Sequence, residues 1–219
     1  TKLRPMTQVL SAFLFLFCSW GVIGCYGTFF LYFRDILLMQ HSASDVAWIG
    51  SIQQFLAVLV GILTSKWVDY GYMYAMCTVG SILIVLGIMM NGQGTQYVHI
   101  FFSHGVCVGV GTGLIYLPCI TCCSEYHHQK PGVALGLATL GSSLGSLIFP
   151  IMFNKLQPNI GYAWTIRIIG FLVMGLLLLA LLLLRPRSRA IESRRLFALH
   201  VFKDPVYIIF VLGLSLIHI

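Results

Sequence analysis

Six long apolar stretches follow one another along the chain, each closed by a short polar or glycine-bearing turn. They run from about Val9 to Phe33, Trp48 to Ser65, Tyr74 to Met90, Tyr97 to Cys123, Pro131 to Phe153 and Tyr162 to Leu184. A bilayer core of about 30 Å takes about 20 apolar residues at 1.5 Å per residue, so each stretch predicts a membrane-spanning helix. Between them lie Arg34, Asp35, His41 and Asp45 after span one, Lys66 to Gly71 after span two, and Asn91-Gly92-Gln93-Gly94-Thr95 after span three. The last is a strong turn signal. Pro131 opens span five, where its missing N–H does no harm. The run from Tyr207 to Ile219, about 13 residues, is too short to span, and the chain is expected to stop inside a seventh helix.

Spans four and five carry a second pattern, with small residues at i, i+4 and i+8. Gly105, Gly109 and Gly113 lie in span four, and Gly141 and Gly145 in span five. Such stripes let helix backbones approach closely in a bilayer, where packing replaces the hydrophobic effect between helices. These glycines are expected to be packing surfaces of a hairpin folded through Ser124 to Lys130.

Composition agrees with the spans. Of the 219 residues 58% are hydrophobic and 9% charged, against roughly 25% charged in soluble domains, so this is an all-α integral membrane chain. A net charge of +7 suggests nucleic acid only if the cations share a soluble face, yet six of the thirteen Lys and Arg fall between Arg185 and Lys203. With the N-terminus inside, Lys2, Arg4, Lys66, Lys130, Arg185, Arg187, Arg189, Arg194, Arg195 and Lys203 are inner, and Arg34 and Lys155 are outer. Cations accumulate on the cytoplasmic side, so the N-terminus and the basic loop are expected there, with no nucleic-acid partner. That loop would also attract anionic membrane lipids. The organisation is then a six-helix bundle over 1–184, a basic cytoplasmic loop over 185–205 and the start of helix seven over 206–219.

The first apolar run is too long for a cleaved signal peptide. All seven cysteines fall in apolar segments or at their ends, which reads as reduced thiols packed as small apolar groups. Cys119-Ile120-Thr121-Cys122-Cys123 has no second pair or spaced histidine to complete a zinc site, so neither a metal nor another cofactor is expected.

Six spans, a basic loop and the start of a seventh match the first half of a twelve-helix transporter with its site at the midplane. The motifs are Ser19-Trp20-Gly21 with Gly27-Thr28-Phe29, Trp48-Ile49-Gly50-Ser51-Ile52-Gln53, and the glycine run from Gly105 to Gly113. They continue with Gly141-Ser142-Ser143-Leu144-Gly145 and Pro150, Leu156-Gln157-Pro158-Asn159-Ile160-Gly161, Trp164-Thr165-Ile166-Arg167 and Phe202-Lys203-Asp204-Pro205-Val206-Tyr207. In order and spacing the chain resembles the N-terminal half of the fungal monocarboxylate-permease-like branch (monocarboxylate transporter family) of the major facilitator superfamily. Asp69-Tyr70-Gly71 resembles the superfamily's cytoplasmic signature, with tyrosines at Tyr70, Tyr72 and Tyr74 where arginine is expected; Asp69 and Gly71 are the candidate conformational latch. Span one lacks the lysine of the animal relatives, so coupling by that route does not carry over.

Charged groups inside a bilayer cost at least about 2.5 to 3.5 kcal/mol, which makes Arg167 and His104 candidates for function. Arg167, about 8 Å into span six by helical rise, either pairs with a substrate carboxylate or snorkels to the headgroups. His104 either relays a proton or hydrogen-bonds a neighbouring helix. Ser19, Trp20 and Gln53 offer neutral donors and an aromatic wall. Gln53 and Gln54 point about 100° apart, and Gln53 is the one expected to face the cavity. Tyr26 and Tyr116 line either the cavity or a helix contact. The Ser142-Ser143 pair faces the cavity or bonds within its own helix.

The resemblance implies a secondary transporter for a small organic anion such as a monocarboxylate, with a proton as candidate co-substrate, working by alternating access and needing a C-terminal half. The alternatives are a permease for an uncharged solute such as riboflavin and a non-transporting nutrient sensor. No paired carboxylates, spaced metal ligands or nucleophile beside a base suggest an enzyme. The plasma membrane is the expected location, a vacuolar or other internal membrane the alternative.

Overall fold

A computed structural model describes residues 3–94, 96–126 and 131–185. The His127-His128 pair, the basic loop after Arg185 and the expected seventh helix lie outside the described residues. Among those described, six helical stretches are long and apolar enough to cross a membrane: Pro5–Leu37, Ala43–Leu63, Met73–Asn91, Tyr97–Tyr126, Pro131–Ile160 and Tyr162–Leu183. We call the end carrying the 38–42 connection distal and the opposite end proximal.

Span one is interrupted. Helix α1 (Leu3–Gly24) stops at Cys25, where φ is −88° and ψ 3°, and α2 (Tyr26–Tyr32) runs into a π-helical turn at Phe33–Leu37. Gly24 before the break has little helix preference, which makes this the cheapest place for a kink. Span two is α3 (Ala43–Leu63), and it starts five residues before the apolar pattern does. Ser42 caps it: its hydroxyl accepts from the Asp45 N–H at 3.1 Å, while its own N–H donates to the Asp45 carboxylate at 3.0 Å. Asp45, which reads as a connection residue, is therefore part of the helix, where its charge suits the N-terminal dipole.

The short α4 (Ser65–Asp69) leads through Gly71, at φ +85°, into α5 (Met73–Asn91). Span four comprises α6 (Tyr97–Ile100), a π-helical stretch at Phe101–Cys107 and α7 (Val108–Tyr126), which tolerates Pro118. Span five, α8 (Pro131–Ile160), continues past Phe153 and is about 45 Å long by helical rise, so Lys155 lies on helix rather than in a loop. Gly161, at φ +77°, makes the one-residue reversal into α9 (Tyr162–Leu183), a backbone state that side chains disfavour.

Spans one and four form the centre. In its apolar window span one is 67% buried and span four 56%, against 28% for spans two and five. Helix α1 packs chiefly on α8 and also on α7 and α9, α7 packs on α3 and α5, and α5 on α9. The glycine stripes follow this map, and here the structure departs from the hairpin pattern. A Cβ on Gly109 would lie 2.7 Å from the Gln53 carbonyl oxygen, and one on Gly113 2.8 Å from that of Ala57; Gly105 faces Ile49 and Ile52, so this stripe lies on α3. Gly141 abuts the Phe13 carbonyl and Gly145 the backbone of Phe17 and Gly21, so the span-five stripe lies on α1. Each stripe serves a different partner, because α1 occupies the position beside α8.

At the proximal end the last carbonyls of α9 are held by side chains from other spans. Gln8 donates to the Leu183 carbonyl at 2.9 Å and accepts from the Arg185 N–H at 3.1 Å. Ser11 donates to Ala180 and Tyr126 to the Arg185 carbonyl. A helix C-terminus leaves such carbonyls without intrahelical partners. Replacing Gln8 with alanine in the whole protein is expected to cost about 1–3 kcal/mol, a fall of about 3–10 °C in melting temperature by scanning fluorimetry.

Candidate functional site

Two aromatic residues from the central spans meet near mid-depth. The rings of Trp20 on α1 and Tyr116 on α7 lie 5.2 Å apart at 59°, and both side chains are partly exposed on the surface of the bundle. The tilt is one that aromatic quadrupoles favour. Among the described residues the indole N–H of Trp20 has no partner, nor has the hydroxyl of Thr112, which is buried one turn before Tyr116 on the same face of α7. Ser19, beside Trp20, is fully buried and donates to the Phe15 carbonyl at 2.7 Å, so its hydroxyl is satisfied inside α1.

The two glutamines separate as their 100° spacing requires, with Gln54 rather than Gln53 on the open side. Gln54 lines a groove of about 740 Å³ between α2 and α3 with Tyr26, Gly27, Phe30, Gly50 and Phe55. Gln53 is fully buried where α3 meets Gly109, and among the described residues both of its amide atoms lack a partner. Tyr26 forms one wall of the groove and donates its hydroxyl to the Val46 carbonyl, which ties α2 to α3. Ser142 bonds the Thr139 carbonyl within its own helix.

On its other side the Tyr26 ring stacks on His104 at 5.8 Å. His104 is 1% exposed and its Nδ1 lies 3.3 Å from the amide nitrogen of Asn91 at the distal end of α5. Phe29 and Phe33 of span one close over the imidazole edge-on, at 5.2 and 6.2 Å. The Tyr162 hydroxyl faces Asn91 without hydrogen-bond geometry. In the sequence Asn91 reads as a turn residue and Thr112 is hidden among glycines. A polar residue in register with an apolar face was the available signal for both.

Arg167 stands apart from these groups. It is partly exposed, with its guanidinium 5.0 Å from the Trp164 ring centroid one turn earlier on α9. Asp69 ends α4, and Gly71 supplies the left-handed turn after it; a Cβ there would meet nothing within 4 Å. Among the described residues the cysteines are free thiols, and no group of His, Cys, Asp and Glu is placed to hold a metal. The chemistry on offer is therefore aromatic surface and neutral hydrogen bonding, with no charged side chain among the residues lining the groove.

No protein-family model matches the chain. Curated relatives do. It is 37% identical over 206 residues to the MFS-type transporter dbaD of Emericella nidulans, covering 94% of this chain and 46% of that protein. It is 35% identical over 208 residues to the MFS-type transporter eupM of Phoma sp, covering 94% of this chain and 74% of that one. It is 33% identical over 217 residues to the fujikurins efflux protein of Gibberella fujikuroi, covering 95% and 45%. The chain thus spans about half the length of the first and third. Identity of this order along nearly the whole chain, and across three quarters of one relative, joins the six apolar helices in one conclusion: this is an integral multi-pass membrane protein of the MFS-type transporters, the major facilitator superfamily.

Proposed function

We propose that the chain is the N-terminal half of a secondary transporter that carries a small organic solute through rocking of two six-helix bundles about a midplane site. The observation that carries this reading is the Trp20–Tyr116 pair, two partly exposed aromatic rings near mid-depth on the central spans. Trp20, Tyr116, Tyr26 and Gln54 are its solute-contacting residues, and the solute is one with a ring and neutral polar groups. Gln53 joins them only if α3 and α7 separate. The name of the fujikurins efflux protein supports export as the direction. A second half supplies the opposite wall, consistent with relatives about twice this length. The Lys and Arg distribution supports a cytoplasmic N-terminus and proximal end, a basic central loop over 185–205, and residence in the plasma membrane. Asp69 and Gly71 are proposed as a latch at that end. Membership of a transporter family sets an enzyme aside.

A second reading, an organic anion such as a monocarboxylate moved with a proton, is favoured by Arg167, a permanent cation inside span six, and by the motif order described above. Arg167→Gln in the full-length protein separates the two. The aromatic-site reading expects the apparent affinity for benzoate to stay within about twofold, whereas loss of a bidentate carboxylate contact weakens it by tenfold or more, about 1.4 kcal/mol or above. Competition between labelled benzoate and riboflavin in proteoliposomes provides the readout.

A further inference from the structure

We propose that His104 is a proton-binding catch on the distal closure, held neutral by the apolar rings around it while that closure is shut; the proposal rests on the transporter reading above. His104 sits in the π-helical stretch of span four, and π turns recur where a side chain is re-aimed for function. Its ring is enclosed by Tyr26, Phe29 and Phe33, all from the distal part of span one beyond the break at Cys25. Asn91 places its side-chain amide 3.3 Å from Nδ1, and among the described residues Nε2 has no hydrogen-bond partner.

Among the described residues the titratable groups that face His104 are the Tyr26 phenol and the Cys25 thiol, which lines the same small cavity. The other packed elements present neutral side chains: Asn91 and Ile88 from α5, Phe149 from α8, Ile166 and Ile169 from α9 with Tyr162 behind Asn91, and Ile49 and Ile52 of α3 against Gly105. No charged residue lies among them. A second proton on the imidazole places a cation among rings and aliphatic groups, where the Asn91 amide can offer it a neutral oxygen but no carboxylate among the described residues pairs with it. Aromatic faces return about 2 kcal/mol or somewhat more when desolvated, far less than an unpaired buried charge costs. Proton binding and distal closure therefore compete. Once the span-one rings part from span four, water reaches the imidazole, which is then free to take up a proton. A proton from the distal aqueous phase holds the closure open, and its return to that phase lets the rings shut.

Cys25 offers a built-in reporter, since it is 2% exposed and shares the His104 cavity. The test is alkylation of Cys25 by a membrane-impermeant maleimide applied from the distal side of the full-length protein in proteoliposomes, quantified by peptide mass spectrometry. Thiol chemistry itself changes with pH, so each rate is divided by that of His104→Gln at the same pH. The normalised rate is expected to rise about tenfold between about pH 7.5 and about pH 5.5. Equal pH dependence in the two proteins overturns the proposal. If His104→Gln does not elute as a single folded species, His104→Phe serves as the non-titrating comparison with the same two outcomes. The labelling needs no transported solute, so a protein that moves no probe yet shows this response defeats the transport reading and not the catch.

Discussion

Gly145→Leu in the full-length transporter is expected to fold poorly, with a melting temperature lower by about 3–10 °C and a smaller monodisperse peak, the equivalent of about 1–3 kcal/mol of overpacking. A Cβ on Gly145 would lie 2.5 Å from the Phe17 carbonyl oxygen and 2.8 Å from the Gly21 Cα. These are backbone atoms of the most buried span, which cannot rotate away as a side-chain tip would. The contact is reciprocal, because a Cβ on Gly21 would lie 2.7 Å from the Gly145 Cα. Gly136→Leu is the internal control: it lies on the same helix, a Cβ there meets nothing within 4 Å, and the melting temperature should move by no more than about 2 °C. A Gly145→Leu protein as stable as the Gly136→Leu protein would mean that α1 and α8 do not meet as described.

The second large effect concerns the solute. Trp20→Ala is expected to weaken binding of a ring-bearing probe about tenfold, or ~1.4 kcal/mol, by removing one face of an aromatic pair and the area it covers. Tyr116→Ala should do the same. Because the rings touch, the double variant should lose little more than either single one, since neighbours acting as a unit are not additive. Thermal-shift titration with riboflavin gives each affinity and reports whether the variant is folded.

Much of the architecture is legible in the sequence because membrane spans are written in length and hydropathy. The six spans follow from that alone, and their ends are displaced where local chemistry takes over: Ser42 and Asp45 cap α3 early, and α8 continues through Pro150 and Pro158 to Gly161. The glycine stripes announce close contact without naming a partner, since a stripe of small residues fits any helix brought beside it. That is why Gly109 and Gly145, on consecutive spans, meet α3 and α1 rather than each other.

The candidate site is legible in part for a similar reason. Trp20 and Tyr116 each read as cavity candidates, yet nothing in the one-dimensional pattern pairs residues so far apart. Asn91 looks like a turn residue until α5 brings it to His104. Gln8 lies just before the predicted first span, and only the approach of α9 to α1 shows its amide spanning the Leu183 carbonyl and the Arg185 N–H. Between Gln53 and Gln54 the helical angle separates the two directions, but which one is open depends on where α7 lies.

The Trp20–Tyr116 face is the proposed seat of transport. Its most direct test is counterflow in proteoliposomes containing the full-length protein, with labelled riboflavin, benzoate and lactate as an uncharged ring, a charged ring and a carboxylate without a ring. Saturable exchange of at least one ring-bearing probe is expected, preserved in Arg167→Gln and lost when Trp20 and Tyr116 are both alanine. Saturable exchange of lactate alone, or exchange of a ring-bearing probe that survives loss of both aromatic residues, would contradict it.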